Sequence, residues 1–270
     1  MYIKILVPSY VYMWRLIVDA HSHLVDDYLK PFLPWIMGSC KASGIVVFSN
    51  SMDLESSRIS IELGRRFGGL VEVFVGVHPW EADNFQEEAF SGLVAGALDS
   101  ICGIGEIGLD MKYLDKVPLA TQRRAFEQQL QLAERYQLPV CVHSRMAHRE
   151  VLDTLGRYSL KGVLLHWFSG TEEQMKNGLD KGYFFSFGPT VLYSRKTRNL
   201  LIKCSVDRIL IETDSPVEYD ACFGNTPSNP LFISSVAYAV SLILKKSLEE
   251  TLNIMLNNSQ NYIRRKMRWG

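Results

Sequence analysis

Eight short apolar runs recur along the chain at intervals of roughly 20–40 residues, and most of them are rich in β-branched side chains. The runs cover residues 16–18, 45–48, 71–77, 101–104, 138–142, 162–165, 183–187 and 208–211. Near-continuous apolar stretches of this kind are typical of parallel strands that are buried on both faces. The pattern therefore predicts eight short strands in a covered sheet.

Between these runs, apolar positions recur at helical spacing among charged and amide side chains. Helices are predicted over about residues 54–67, 86–98, 119–136, 149–158, 172–181, 231–244, 247–257 and 259–265. This alternation favours an α/β fold of the (β/α)8 TIM-barrel class, formed as a single domain by residues 15–270. Residues 1–14 are interpreted as an N-terminal arm or extra strand, and initiation at Met13 is an alternative.

An open, doubly wound parallel sheet is the alternative architecture. Its dinucleotide-binding versions carry a G-x-G-x-x-G motif after the first strand. No such motif follows residues 16–18, and the later cluster of Gly103, Gly105 and Gly108 has a different spacing and includes an acidic residue. The barrel is therefore the preferred prediction.

Side chains that can bind metal ions lie at the ends of the predicted strands. Five of the six histidines are among them, together with one glutamate and one aspartate. These residues are His21, His23, His78, Glu106, His143, His166 and Asp214. The carboxyl ends of the strands meet at one face of a barrel, where the active sites of this fold are built. We therefore expect these side chains to converge.

The spacing of His21 and His23 lets them bind one ion together, because residues two apart on a strand point the same way. Four imidazoles and two carboxylates are enough for two divalent metal ions per chain, and Glu106 can bridge the ions because each of its oxygens can bind one. Each residue alone also has a structural interpretation, such as a helix cap for Asp214. The joint placement of the histidines favours the metal site.

Further residues near the same strand ends are candidate substrate contacts. Arg145 is predicted to contact a phosphate, with a salt bridge as the alternative. Trp80 and Trp167 are candidate stacking platforms for a nucleobase, with packing at the rim as the alternative. His148 is interpreted as a surface or helix-packing residue, and the basic tail over residues 264–268 as a solvated end.

The charge balance limits the kind of partner. The chain has 29 Lys and Arg against 29 Asp and Glu, which argues against binding long duplex DNA through a strongly basic face but allows a local grip on a few phosphates. The five cysteines form no C-x-x-C pair, so a disulfide framework is not expected and a cytoplasmic location is predicted. No apolar run approaches the length of a membrane span.

In order along the chain, these motifs resemble the TatD-type metal-dependent deoxyribonucleases of the amidohydrolase superfamily. The resemblance covers about residues 15–263. It rests on Asp19-Ala-His21-Ser-His23-Leu, Gly76-Val-His78-Pro79, Gly105-Glu106-Ile-Gly-Leu-Asp110, Gln122…Phe126…Leu130…Ala133, Leu138-Pro-Val-Cys-Val-His143-Ser-Arg145, His166-Trp-Phe-Ser-Gly170 and Glu212-Thr-Asp214-Ser-Pro216. Two departures are Val25 before Asp26–Asp27, where the family usually has Asp first, and Asn225-Thr226-Pro227 in place of Asn-Glu-Pro.

The resemblance implies a role for each matching residue. The ligands of one ion would be His21, His23 and Asp214, those of the second His143 and His166, and Glu106 would bridge the two. The implied catalytic residues are Asp214 as proton acceptor, Glu106 as the bridging carboxylate and His78 at the substrate phosphate, where Arg145 would assist. Imidazole-rich ligation favours Zn or a similar transition metal, although the family is often described with Mg, and Mg or Mn are alternatives.

The resemblance implies an enzyme that hydrolyses DNA phosphodiester bonds, often from an end, with short or single-stranded DNA as the expected substrate. Two divalent ions and two carboxylates leave a positive pocket, which favours an anionic phosphodiester. A hydrolase that acts on a lactone, amide or cyclic amide is the alternative, since a fold does not fix a function. A non-catalytic protein that binds metal or nucleic acid is the third hypothesis. No obligate protein partner is evident.

Overall fold

Eight parallel strands form one sheet in which neighbours in sequence are neighbours in space. The computed structural model describes residues 16–267. The strands are β1 Ile17–Ser22, β2 Ile45–Asn50, β3 Val71–Val75, β4 Gly103–Gly108, β5 Val140–His143, β6 Val163–Leu165, β7 Phe184–Phe187 and β8 Ile209–Ile211. All seven consecutive pairs are parallel, as the near-continuous apolar runs predict.

The sheet closes where its first and last strands meet. The amide of Asp214, just beyond β8, donates to the carbonyl oxygen of His21 at 2.9 Å. The amide of His23 donates to the carbonyl oxygen of Ser215 at 2.8 Å. The predicted TIM barrel is confirmed, and the open doubly wound sheet is wrong. The prediction for residues 1–14 lies outside the described residues.

Helices follow the strands and cover the barrel. They are α1 Leu33–Ser43, α2 Leu54–Arg66, α3 Glu87–Gly96, α4 Leu119–Tyr136, α5 His148–Leu155, α6 Glu172–Asp180, α7 Arg195–Lys203, α8 Asp220–Phe223, α9 Ile233–Leu244 and α10 Leu248–Ile263. Within residues 16–267, no single helix is long and apolar enough to cross a membrane, and one pair bent by 108°, Pro230–Leu244 with Leu248–Ile263, meets the length and composition requirement together.

Helix α10 is continuous where the sequence pattern predicts two helices. Asn and Ser often end helices, because their side chains compete for backbone hydrogen bonds. Here the amide of Asn258 instead donates to the carbonyl oxygens of Val206 and Ile209, both at 2.8 Å. The hydroxyl of Ser259 donates back to the carbonyl oxygen of Met255 at 2.8 Å. Both polar side chains are satisfied without a break in the helix.

Alternate strand residues fill the inside of the barrel, and the others pack against the helices. The inner layer contains Val18, Ala20, Val46, Phe48, Phe74, Cys102, Cys141, Leu164, Phe184 and Leu210. Tyr262 of α10 enters this layer, and its ring stacks on that of Phe74 with centroids 5.9 Å apart. A Cβ atom at Gly105 would lie 2.7 Å from Cys141 Cβ, so a larger residue there would displace the inner layer. The barrel is therefore a packed core with an open site at one end.

Candidate active site

The predicted metal ligands gather at the carboxyl ends of the strands. His21 lies within β1, Glu106 lies within β4, and His143 is the last residue of β5. These strands extend further toward the site than the apolar runs alone indicate. His78, His166 and Asp214 lie in the loops after β3, β6 and β8, and His23 directly follows β1. All seven side chains predicted to converge do so.

Glu106 stands at the centre of the cluster, and its two oxygens face different histidines. Oε1 lies 2.7 Å from His143 Nδ1 and 2.7 Å from His166 Nε2. Oε2 lies 3.2 Å from the Nε2 atoms of both His21 and His23. One buried carboxylate therefore separates the four imidazoles into two pairs, each associated with one oxygen.

Asp214 joins the cluster beside the first pair of histidines. Its Oδ1 lies 3.3 Å from His21 Nε2 and 3.6 Å from His23 Nε2. The backbone of Asp214 is in the left-handed region with φ of 50°, as is that of Trp167 with φ of 39°. This conformation costs a non-glycine residue about 1–2 kcal/mol, so tertiary contacts such as the Asp214–His21 backbone hydrogen bond must maintain it.

Three groups of residues could each offer ligand atoms within 4.8 Å of one another. They are His21, His166 and Asp214, then His21, His23 and Glu106, and then His78, Glu106 and His143. Shared members link the groups into one cluster. The structure thus contains candidate metal-ligand clusters of imidazole and carboxylate, a donor set suited to divalent transition metals.

Hydrogen bonds fix which nitrogen of two histidines faces the cluster. His23 Nδ1 lies 3.1 Å from the carbonyl oxygen of Asn50. Because a carbonyl only accepts, Nδ1 carries the proton and the Nε2 lone pair is free for a ligand. His143 Nε2 lies 3.1 Å from Asp110 Oδ2, which leaves Nδ1 facing Glu106. Partners of this kind commonly orient metal-binding imidazoles.

The other two predicted histidine ligands also turn one nitrogen inward. His21 Nδ1 contacts Cys141 Sγ at 3.1 Å, so Nε2 faces the two carboxylates. His166 directs Nε2 at Glu106, and its buried Nδ1 has no hydrogen-bond partner among residues 16–267. The two rings stack with centroids 3.9 Å apart. Close packing of imidazoles around carboxylates is the arrangement that a bound cation would stabilise.

His78 differs from these four histidines in the hydrogen bond that its second nitrogen makes. Its Nδ1 accepts a hydrogen bond from the backbone amide of Trp80 at 3.2 Å. A neutral imidazole that accepts at Nδ1 carries its proton at Nε2. That Nε2 lies 3.3 Å from Glu106 Oε1, so His78 presents an N–H donor to the cluster. Burial lowers the pKa of His78 to about 4, which keeps the ring neutral.

Burial and neighbouring charges shift the pKa values of the cluster in opposite directions. Burial alone would raise the pKa of Glu106, but the surrounding histidines hold it well below its usual range. Burial would also raise the pKa of Asp214, but its contact with His21 lowers that pKa. Burial would lower the pKa of His143, but Asp110 and Glu106 raise it to about 9. Two ionised carboxylates therefore sit among imidazoles, where a metal ion would replace protons.

Asp110 is a site residue that sequence reasoning did not assign. Its Oδ2 accepts hydrogen bonds from Trp80 Nε1 at 2.8 Å and from His143 Nε2 at 3.1 Å. Arg145 Nη1 lies 3.9 Å away from the same oxygen. The aspartate lies four residues after Glu106 in the same motif, and that position was the available signal. It connects one predicted ligand with two predicted substrate contacts.

The predicted substrate contacts lie around a cavity of about 660 Å³ above the cluster. Arg145, Trp80, Trp167, His78 and His148 all line it. The side chain of Arg145 is 46% exposed, so its distant contact with Asp110 leaves the guanidinium available. The Trp80 ring stacks on Tyr113, with ring centroids 5.1 Å apart, and the Trp167 ring is tilted against Tyr219. Both indoles are thus held at the rim while part of each faces the cavity.

Known proteins resemble this chain over most of its length. The sequence model of a family described as TatD related DNase matches residues 18–264. Deoxyribonuclease TATDN3 of Homo sapiens is 29% identical over 260 residues, which cover 90% of this chain and 93% of that protein. The 3'-5' ssDNA/RNA exonuclease TatD of Cronobacter sakazakii is 33% identical over 189 residues, which cover 67% of this chain and 71% of that protein.

A solved structure supports the same architecture. The crystal structure of YjjV, a TatD homologue from Escherichia coli K12, superposes with a TM-score of 0.87 and 24% sequence identity. The superposition covers 93% of this chain and 98% of that chain. At this level of identity the likeness shows the barrel fold, and the chemistry is argued from the site itself.

Proposed function

Because the chain belongs to the TatD-related DNase family, we propose that the protein is a metal-dependent deoxyribonuclease that hydrolyses DNA phosphodiester bonds. The observation that carries this proposal is the position of Glu106 between two pairs of imidazoles. The relatives named as a deoxyribonuclease and as an exonuclease on single-stranded DNA and RNA support a nucleic-acid substrate. Short DNA or single-stranded DNA ends are consistent with a protein of zero net charge that contacts few phosphates.

We propose two divalent metal ions per chain. His21, His23 and Asp214 would hold one ion, His143 and His166 would hold the other, and Glu106 would lie between them. The imidazole-rich donor set favours Zn or a similar transition metal over Mg, which prefers oxygen ligands. Bound metal ions supply Lewis-acid chemistry, in which water becomes more acidic and charge on phosphoryl oxygens is stabilised.

Asp214 is proposed as the proton acceptor for the attacking water. Contact with His21 keeps its pKa low, so the carboxylate is ionised at neutral pH and can accept a proton. His78 is proposed as a neutral donor, because its Nε2 proton faces the place where a phosphate oxygen would lie beside Glu106. The exposed guanidinium of Arg145 would add a charged contact to the phosphate.

Turnover assays with metal analysis test this function. We expect purified protein to retain transition metal and to shorten labelled single-stranded oligonucleotides, with Zn, Mn and Mg compared as added metals. Asp214→Asn should abolish this turnover. Lactones and cyclic amides are assayed in parallel with the oligonucleotides. Hydrolysis of those compounds alone would support the amidohydrolase alternative, and binding of DNA without any turnover would support the non-catalytic one.

The cytoplasmic location remains part of the proposal and rests on cysteine usage. All five cysteines, Cys40, Cys102, Cys141, Cys204 and Cys222, are free thiols, and four of them are buried. Free thiols fit a reducing compartment. Fractionation of cells that express a tagged protein would test the location directly.

A further inference from the structure

Lys196 has no assigned role and contacts Ser169, one of the residues that line the active-site cavity. Its Nζ donates a hydrogen bond to the carbonyl oxygen of Ser169 at 2.6 Å. Ser169 lines the cavity and follows the predicted ligand His166 by three residues. Lys196 is the second residue of α7, so two loops, those after β6 and β7, hold its ammonium group beside the mouth.

The charge of Lys196 is not neutralised by a neighbouring carboxylate. Its hydrogen bond to Ser169 goes to an uncharged carbonyl oxygen. Among residues 16–267, no acidic side chain lies within ion-pair distance of its Nζ, whereas Lys176 and Lys203 each pair with a carboxylate. An ammonium group has three N–H donors, so two remain for another partner. Lys196 also lies near His148, which lines the cavity. Burial lowers the pKa of the His148 imidazole to about 4, and the charge of Lys196 contributes to this shift.

Charges around the mouth are distributed unevenly. Arg145 lines the cavity from the loop after β5, and Lys196, on α7 after β7, contacts the cavity residue Ser169. Asp26 lines the cavity from the loop after β1, and Asp27 follows it. An anionic strand is attracted to the basic side of the mouth and repelled by the acidic side. Trp167 lies on the basic side, between His166 and Ser169, where a base could stack on its ring.

We infer that Lys196 is a substrate-binding residue that holds a backbone phosphate next to the one being cleaved. The inference rests on the proposed function and specifies how the single strand leaves the cavity. The strand would pass over the β5–β7 side, with Arg145 near the scissile phosphate and Lys196 at its neighbour. A substrate with one phosphodiester and no neighbouring phosphate would not use Lys196.

The test compares two substrates of the metal-loaded full chain. One is a short single-stranded oligonucleotide, and the other is bis(p-nitrophenyl) phosphate, which has a single phosphodiester. Lys196→Met keeps the aliphatic stem and removes the charge. We expect KM for the oligonucleotide to rise about tenfold with kcat nearly unchanged, and both constants for the small substrate to stay at wild-type values. Lys196→Arg should restore most of the affinity.

A binding measurement gives a second readout that does not depend on turnover. The affinity of the metal-loaded full chain for a labelled, cleavage-resistant oligonucleotide should fall about tenfold in Lys196→Met. The slope of the logarithm of the binding constant against the logarithm of salt concentration should become shallower by about 0.7, the value for one phosphate contact on a single strand. Lys176→Met is the matched control, because that exposed lysine on α6 pairs with Asp180 at 2.7 Å. Lys176→Met should change neither KM nor the binding constant for the oligonucleotide.

Two results would overturn the inference. Equal losses on both substrates would show that Lys196 supports the cavity through Ser169 and does not bind a neighbouring phosphate. Wild-type affinity of Lys196→Met for the oligonucleotide would show that the residue contributes nothing to the strand. Failure of the proposed function would look different, because the wild-type protein itself would then not cleave the oligonucleotide.

Discussion

The hydrogen bond that Nδ1 of His78 accepts separates this residue chemically from the other histidines of the cluster. A metal ligand offers a lone pair, whereas His78 offers the proton on Nε2 because Nδ1 accepts the amide of Trp80. Distance alone groups His78 with Glu106 and His143 as possible metal ligands. Distance alone therefore does not tell a metal ligand from a hydrogen-bond donor, whereas the hydrogen bond at Nδ1 identifies His78 as a donor.

His78→Gln tests this assignment, because it removes the imidazole with its Nε2 proton and keeps a neutral polar side chain at the position. We expect the variant to keep the wild-type metal content and to lose about 10²–10³ in kcat, the range for removal of a donor or proton-transfer group. Metal per chain is measured by mass spectrometry, and turnover is measured on the oligonucleotide. Glu106→Gln is the comparison that should lose metal. A loss of metal from His78→Gln would instead identify His78 as a ligand.

Asp110 controls the other face of His143. Removal of its charge should lower the pKa of His143 from its raised value of about 9, because the carboxylate stabilises the protonated ring. In Asp110→Asn we therefore expect a lower His143 pKa in metal-free protein, measured by NMR titration. We also expect metal affinity or activity to fall about 10–100-fold. Asp115→Asn, an exposed carboxylate in the same loop, is the control. An unchanged titration of His143 would contradict the role.

At the scale of elements, the strands could be predicted because each is a short apolar run, and their order then follows from the strand–helix alternation. The convergence of the site residues also follows, since parallel strands in a barrel present their carboxyl ends on one face. Helices α1 and α7 could not be predicted in this way. Helix α1 contains a proline and a glycine, and α7 buries only Leu200 and Leu201 along a polar sequence.

The finer features of the site have no periodic signal in the sequence. Asp110, the nitrogen that each histidine turns inward, and the position of Lys196 all depend on side-chain contacts between separate loops. Residue spacing determines which face of a strand a side chain occupies, but it does not determine which atom that side chain meets across the barrel. These contacts therefore required the structure.

Helix α10 closes the end of the barrel opposite the site by inserting Tyr262. The ring lies among Phe48, Phe74 and Phe184, with centroid distances of 5.7–6.3 Å. Its buried hydroxyl has no hydrogen-bond partner among the described residues. The ring is therefore expected to stabilise the fold, and the hydroxyl is expected to oppose that stabilisation.

Two substitutions at this position separate the two contributions. Tyr262→Ala should lower the free energy of unfolding by about 3–5 kcal/mol, because it leaves a cavity in the inner layer. Tyr262→Phe should leave it unchanged or raise it, because the unpaired hydroxyl is removed and the ring is kept. Urea unfolding of both variants measures the difference. A clear loss of stability in Tyr262→Phe would mean that the hydroxyl has a partner, such as a buried water.

For the molecule as a whole, buried titratable groups make stability depend on pH. His148 is partly buried at the start of α5, and its ring contacts Phe168. Burial, together with the charges of Lys196 and His143, lowers its pKa to about 4. Between the ordinary value of 6.5 and 4, the unfolded chain binds a proton at this position and the folded chain does not. Stability therefore falls as the pH falls through this range and is fully present above it.

His148→Gln removes this titration and should flatten the pH dependence. We expect the wild-type free energy of unfolding to fall by about 1–2 kcal/mol more than that of the variant between pH 6.5 and 4, a value discounted for the partial exposure of the ring. Both proteins are measured by urea unfolding with a chelator present, since metal binding has its own pH dependence. The slopes of the free energy of unfolding against pH are compared, because loss of the Phe168 contact lowers that free energy equally at every pH in the variant. Parallel curves would show that His148 keeps its ordinary pKa in the folded protein.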